Sequence, residues 1–164
     1  MASVKICLDA GHYGKYNRSP AVPEYYESDM NWKLHLMLKA RLEEYEGVEV
    51  IQTRENQETD KTLFERGCMS EGCDLFLSIH SNAVDDFVHE EIDYPKSIVQ
   101  LDGKGDKLGQ MLGECVKELM VQDKTCFCSK ESTKEESITA FCAVRLLWAQ
   151  WELFLNIVFT QIQK

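Results

Sequence analysis

The stretch Val4-Lys5-Ile6-Cys7-Leu8-Asp9-Ala10-Gly11-His12-Tyr13-Gly14 decides how this chain is read. Val4, Ile6 and Leu8 alternate with Lys5 and Cys7, the period of a strand, and the alternation ends at Asp9. Glycines, prolines, Asn17 and Ser19 between Gly11 and Glu24 predict a loop. A helix is expected from about Glu27 to Tyr45, with Met30, Leu34, Met37, Leu38 and Leu42 on its apolar face and Gly47 as its stop.

Outward from this unit the pattern repeats. Val48 to Thr53 reads as a second strand, and Lys61 to Ser70 as a short helix capped by Thr59 or Asp60. Asp74 to His80 is a third strand, with Leu75, Leu77 and Ile79 on one face. Ser97 to Leu101 is a fourth. Lys104 to Met120 carries Leu108, Met111, Leu112, Cys115, Leu119 and Met120 at helical spacing. Strands alternating with helices predict an α/β fold, a mostly parallel twisted sheet flanked by helices. The chain of 164 residues suits one core, and 44% hydrophobic with 28% charged residues is a globular composition.

A net charge of −10 argues against nucleic acid or an anionic membrane surface as partner, because both call for clustered Lys and Arg. Seven cysteines cannot all pair within one chain, and Cys126-Phe127-Cys128 and Cys68-x4-Cys73 lack the Cys-x2-Cys spacing of structural zinc sites. Reduced thiols are expected. The first residues do not read as a signal peptide, so synthesis in the cytoplasm and action at a later location require release or export. A monomer is expected.

Two of the four histidines close strands: His12 follows the first, and His80 ends Leu77-Ser78-Ile79-His80. Functional groups in open α/β sheets gather beyond the carboxyl ends of strands. Glu27 stands at the entrance of the first helix. Two imidazoles and a carboxylate form a ligand set of hydrolytic zinc sites. The residues also have plainer roles: a strand-end histidine as a hydrogen-bonded structural group, and Glu27 as a solvated acid favoured by the helix dipole. Arg54 and Arg66 read as substrate contacts or as salt bridges at the sheet edge. Trp32, Trp148 and Trp151 read as buried or sugar-stacking aromatics. His89-Glu90-Glu91-Ile92-Asp93 reads as a solvated loop.

The succession Leu8-Asp9-Ala10-Gly11-His12-x-Gly14, Glu27-Ser28-Asp29-Met30-Asn31, Thr53-Arg54 and Asp74-Leu75-Phe76-Leu77-Ser78-Ile79-His80-Ser81-Asn82-Ala83 resembles the zinc-dependent N-acetylmuramoyl-L-alanine amidases of bacterial autolysins and phage endolysins. The resemblance covers about residues 4 to 135. It implies zinc (Zn2+) held by His12, Glu27 and His80. It further implies a peptidoglycan substrate, cut between N-acetylmuramic acid and L-alanine. Glu27 rather than Glu24 matches, because Asn31 follows it by four residues. His35 and His89 match nothing and are expected on a helix surface and in a loop.

The same resemblance implies a general-base glutamate on a late strand, within Glu-x-x-Phe-x-x-Asn. No such pattern follows residue 130. Glu152-Leu-Phe-Leu-Asn156 has the residue types at the wrong spacing, so Glu152 is the remaining candidate for a catalytic acid–base residue. From Ile138 to Ile162 the chain is mostly apolar, long enough for a membrane span although Arg145 and Glu152 disfavour one. One permitted codon set for Leu155 to Lys164 is TTG AAC ATA GTT TTC ACA CAA ATA CAA AAA. Read from its third base it encodes Glu-His-Ser-Phe-His-Thr-Asn-Thr-Lys, which contains the missing pattern. The expectation is therefore an amidase domain over residues 1–137, incomplete because a frame change between about Glu135 and Phe141 replaced the family's last strand and helix. Residues 138–164 would then be an aberrant apolar tail. Other readings of the chain are a non-catalytic zinc or wall-binding domain, a membrane-anchored protein, and a nucleotide-binding domain. The last lacks Gly-x-Gly-x-x-Gly.

Overall fold

The computed structural model describes residues 3–19, 22–81, 95–100, 104–119, 126–130 and 139–142. Its elements are β1 (Val4–Ala10), α1 (Glu27–Leu42), β2 (Val48–Gln52), α2 (Leu63–Met69), β3 (Leu75–His80), β4 (Lys96–Gln100), α3 (Asp106–Leu119), β5 (Cys126–Lys130) and β6 (Thr139–Cys142). Among the described residues the sheet has six strands in the order β2-β1-β3-β6-β4-β5. All neighbouring pairs are parallel except β4 and β6, which run antiparallel. This is the α/β architecture with a mostly parallel, helix-flanked sheet that the alternation predicts.

β1 is buried from Ile6 to Ala10 on both of its faces, because β2 and β3 pair its edges while helices cover its two sides. Ile6 and Leu8 enter the main core with Ile79 of β3, Leu34, Leu38 and Leu42 of α1, and Leu112, Cys115 and Val116 of α3. Each of these leucines contributes about 1.5–3 kcal/mol on burial, so the core is what pins both long helices to one face. Cys7 and Asp9 take the alternate positions, and Asp9 meets Arg66 of α2 through an ion pair of 3.3 Å.

Several expectations change in detail. The first helix ends at Leu42, three residues before Tyr45. Thr62, not Thr59 or Asp60, caps α2: its hydroxyl accepts from the Glu65 amide while the Glu65 carboxylate accepts from the Thr62 amide. His35 is not on the helix surface. It is 1% exposed, packed against Trp32 with ring centroids 4.4 Å apart. Its Nε2 lies 2.6 Å from the Gln52 side-chain nitrogen. β5 and β6 have no counterpart in the sequence reading, and β6 falls inside the segment 138–164 set apart above as a tail. Four of its residues belong to the sheet, between β3 and β4. Glu152, His89, the acidic run 89–93, Trp148, Trp151 and the shifted-frame segment lie outside the described residues. Among the described residues no helix is long and apolar enough to cross a membrane. Cys7, Cys68, Cys73 and Cys115 are free thiols.

Topology places the site. After β1 the chain passes through α1 to β2 on one side, and after β3 it continues to β4 on the other. β1 and β3 thus flank the point where the strand order reverses, and the crevice at the carboxyl ends of such a point is the usual ligand position in open α/β sheets.

Candidate metal centre

His12 and His80 emerge at this crevice because their strands pair in register, Ala10 opposite Ile79, with the Gly11 amide donating to the Ile79 carbonyl at 3.0 Å. Glycine at position 11 is a matter of space. A Cβ there would stand 2.3 Å from His80 Cε1 and 2.5 Å from its Nε2. The next residue, His12, has φ 62°, a left-handed conformation costing roughly 1–2 kcal/mol for a residue with a Cβ. The surrounding hydrogen bonds hold it there. Arg54, 3% exposed, donates through Nε and Nη2 to the Ala10 carbonyl at 3.2 Å each, and through Nη1 to the Gln57 carbonyl at 2.6 Å. The Gly14 amide donates back to Gln57.

Glu27 opens α1 and points into the crevice, 6% exposed. Its Oε1 accepts from the Ser81 amide at 2.8 Å and lies 3.1 Å from His80 Nδ1. Its Oε2 accepts from Asn17 Nδ2 at 2.9 Å and lies 3.2 Å from His12 Nε2. Asn31, one turn along, donates to the Gly11 carbonyl at 3.2 Å and reaches Glu27 Oε1 at 3.5 Å. Burial pushes the Glu27 carboxyl upward, but hydrogen bonds from His12, His80 and Asn17 outweigh it and hold the group well below the usual carboxylate range.

The structure therefore brings His12, Glu27 and His80 together, with one ligand atom from each within 4.8 Å of the others. Two carboxylate–imidazole separations, 3.2 and 3.1 Å, are close to the edge of a tetrahedron with metal bonds of about 2.1 Å, roughly 3.4 Å. The donor set, nitrogen and oxygen with a carboxylate held ionised, fits zinc. Among the described residues no fourth His, Cys, Asp or Glu joins the cluster.

Asn17 went unrecognised in the sequence. Its φ of 52° turns the loop so that one side-chain nitrogen lies 2.9 Å from His12 Nε2 and also serves Glu27. Asn is a residue type that tolerates this conformation, the only local signal available. Ser28, fully buried, donates to the Gly14 carbonyl at 2.7 Å and accepts from the Tyr16 amide at 2.8 Å, anchoring the same loop to α1. Arg54 forms no direct ion pair among the described residues, although the charges of Asp9, Glu58 and Asp60 act on it. Its guanidinium instead grips carbonyls and lies over half-buried Trp32, 4.8 Å from the ring centre. Arg66 does make the salt bridge expected of it, to Asp9.

A parallel α/β sheet carrying a two-histidine, one-carboxylate cluster at its carboxyl edge defines a class of candidate metallohydrolases. A family model described as N-acetylmuramoyl-L-alanine amidase matches residues 6–90, more than half of the chain, and the chain belongs to that family of enzymes. Among solved structures the fold is similar to an N-acetylmuramoyl-L-alanine amidase from Clostridium difficile 630, with TM-score 0.77 at 15% identity over 99% of this chain and 96% of that one. It is also similar to the catalytic domain of the amidase CwlV from Bacillus (Paenibacillus) polymyxa var. colistinus, with TM-score 0.71 at 19% identity over 97% and 93% of the two chains. The amidase AmiC2 of Nostoc punctiforme gives TM-score 0.73 at 17% identity over 98% of each chain. No curated protein matches the sequence.

Proposed function

We propose that the chain acts on peptidoglycan as a zinc-dependent hydrolase of the amide between N-acetylmuramic acid and L-alanine, with turnover reduced by the loss of the family's late glutamate. The observation that carries the zinc assignment is the convergence of His12, Glu27 and His80 at the crevice. Zinc bound by these three residues supplies Lewis acidity toward the scissile carbonyl and an activated water. The protein's own part is positional. Asn17 and the Ser81 amide keep the Glu27 carboxylate ionised and oriented, and the Gly11–Ile79 bond fixes the separation of the two histidine-bearing strands.

Glu27, engaged by His12, Asn17, Asn31, His80 and Ser81, is suited to hold a cation and unsuited to shuttle protons. The proton-transfer role therefore falls to another group, and Glu152 is the in-frame candidate. The lack of a Glu-x-x-Phe-x-x-Asn pattern after residue 130 of the sequence favours one rival reading, a non-catalytic zinc or wall-binding domain. On this proposal the protein acts at the cell wall, as a monomer, after release or export.

A peptidoglycan zymogram run with and without chelator tests this. Clearing that chelator abolishes and zinc restores supports the hydrolase; chelator-sensitive binding to sacculi without clearing supports the rival. Sequencing the gene, and rejoining the shifted frame after about Glu135, tests the missing base. Turnover should rise by about 10²–10⁴, and a gene whose next frame lacks the Glu-x-x-Phe-x-x-Asn pattern removes this part of the proposal.

A further inference from the structure

The loop that delivers His12 also carries exposed tyrosines beside the metal ligands. Tyr16 stacks on the His12 imidazole, with ring centroids 5.1 Å apart and planes 22° apart. Tyr13 stacks on Tyr16, at 5.9 Å and 22°. Both separations lie in the offset-stacking range for aromatic pairs. The result is a slab of three rings, each tilted 22° from the next, that starts at the candidate metal ligand His12. Half of Tyr16 and more than a third of Tyr13 stay open to solvent, 50% and 37%. Contiguous exposed apolar surface of this kind marks a ligand site more often than singly scattered residues do.

The slab is also rigid. The Tyr16 amide donates to Ser28 Oγ at 2.8 Å, the Ser28 amide donates to the Tyr16 carbonyl at 3.4 Å, and the Ser28 hydroxyl gives its proton to the Gly14 carbonyl at 2.7 Å. Gly14, between the two tyrosines, is tied to Gln57. A surface ordered before binding loses little entropy when it takes a ligand.

The chemistry of the slab selects which side of the substrate it meets. On the amidase reading, on which this inference rests, the scissile carbonyl lies at the metal and is joined on one side to a sugar and on the other to a peptide. The muramoyl carboxyl is consumed in the amide, so the sugar flank is uncharged and offers a pyranose face lined with C–H groups. The peptide flank carries carboxylates and calls for charged donors. The outer phenol face of Tyr13 and the solvent-open part of Tyr16, with no positive charge between them, suit the sugar. Lys15, the cation in this stretch, is placed over Tyr26, 5.6 Å from its ring centre. We propose that Tyr13 and Tyr16 form the glycan-stacking platform of the site, taking the pyranose ring that bears the scissile amide.

The test uses the zinc-loaded full chain and calorimetric titration with two probes: N-acetylmuramoyl-L-alanyl-D-isoglutamine, and L-alanyl-D-isoglutamine, which lacks the sugar. Tyr13→Ala and Tyr16→Ala are each expected to weaken the muramoyl probe about tenfold, with binding of the sugar-free peptide and of zinc unchanged. Tyr13→Phe and Tyr16→Phe should retain wild-type affinity, since the ring face is kept. Alanine variants that bind the muramoyl probe as wild type does overturn the platform and leave the amidase reading intact. So do variants that lose zinc or the sugar-free peptide to the same extent, which makes Tyr16 only a support for His12. Wild-type protein that takes up zinc yet binds neither probe overturns the amidase reading itself, and the platform with it.

Discussion

Replacing Gly11 by alanine should damage the metal centre without touching a ligand. The added methyl would lie 2.3, 2.5 and 2.6 Å from Cε1, Nε2 and Nδ1 of His80. Non-bonded carbon atoms rest at about 3.5–4.0 Å, so all three ring atoms would be overlapped by roughly 1 Å. The backbone has little room to yield, because the Gly11 amide bonds Ile79 while Arg54 grips the preceding carbonyl. The imidazole must therefore swing away, taking Nδ1 from Glu27 Oε1, 3.1 Å distant. Overpacking of this kind costs about 1–3 kcal/mol of stability. Metal sites need ligands held within about 0.5 Å, so zinc affinity should fall by about 100-fold, near the upper end for disturbed ligand orientation. The assay is competition for zinc against a chromogenic chelator, with apo-protein melting recorded by circular dichroism. Gly67→Ala is the control, since nothing lies within 4 Å of the Cβ it would add. A Gly11→Ala protein that holds zinc within about threefold of wild type would refute the reasoning.

Other substitutions probe the supports. Arg54→Met leaves the buried Ala10 carbonyl without its side-chain donors, at about 1–3 kcal/mol, while the Gln57 carbonyl keeps the Gly14 amide; urea unfolding should show the loss, and Arg54→Lys should recover only part because it lacks the planar fork. Asp9 is 1% exposed and accepts from Thr53 and Ser78 hydroxyls at 2.6 Å each, beside Arg66. Asp9→Asn sets an NH2 group against one of those donors and deprives Arg66 of its counter-charge, so a loss of about 2–4 kcal/mol is expected in the same assay. Burial, with help from nearby Cys73 and Asp9, pushes the Cys7 thiol up from 9.0 to about 12. Because the folded value is raised, the unfolded chain releases this proton first, and stability is lost as pH rises from about 9 towards 12. By about pH 10.5 the wild type should lose roughly 2 kcal/mol more than Cys7→Ala, measured by urea titration.

Much of the site was legible because its ligands sit where strands stop. The alternation in Val4–Leu8 and in Leu75–Ile79 marks both strands, and the histidines follow directly. Glu27 could be chosen over Glu24 through Asn31, and the structure gives that spacing a physical meaning. One helical turn lets Asn31 bond the Gly11 carbonyl while approaching Glu27. Asn17 was not legible, since its role depends on a single positive φ in an irregular loop. His35 reads as a helix-surface residue because it matches nothing in the family's pattern, although Leu34 and Leu36 flank it. Its burial depends on Gln52 and Trp32 supplying partners. Thr62 is the better cap, and Thr62-Leu63-Phe64-Glu65 carries the capping-box signature in the sequence itself, which a helix start set at Lys61 overlooks.

By itself, then, the sequence determined the parallel α/β layout, the strand ends bearing His12 and His80, and the helix entrance bearing Glu27, since each follows from a local period or its interruption. Tertiary structure alone decided the strand order, the insertion of β6 between β3 and β4, and the conversion of Arg54 from a sheet-edge ion into a clamp on the His12 loop. Those outcomes depend on which distant backbone groups must find partners once water is excluded, and no local pattern in the chain encodes that.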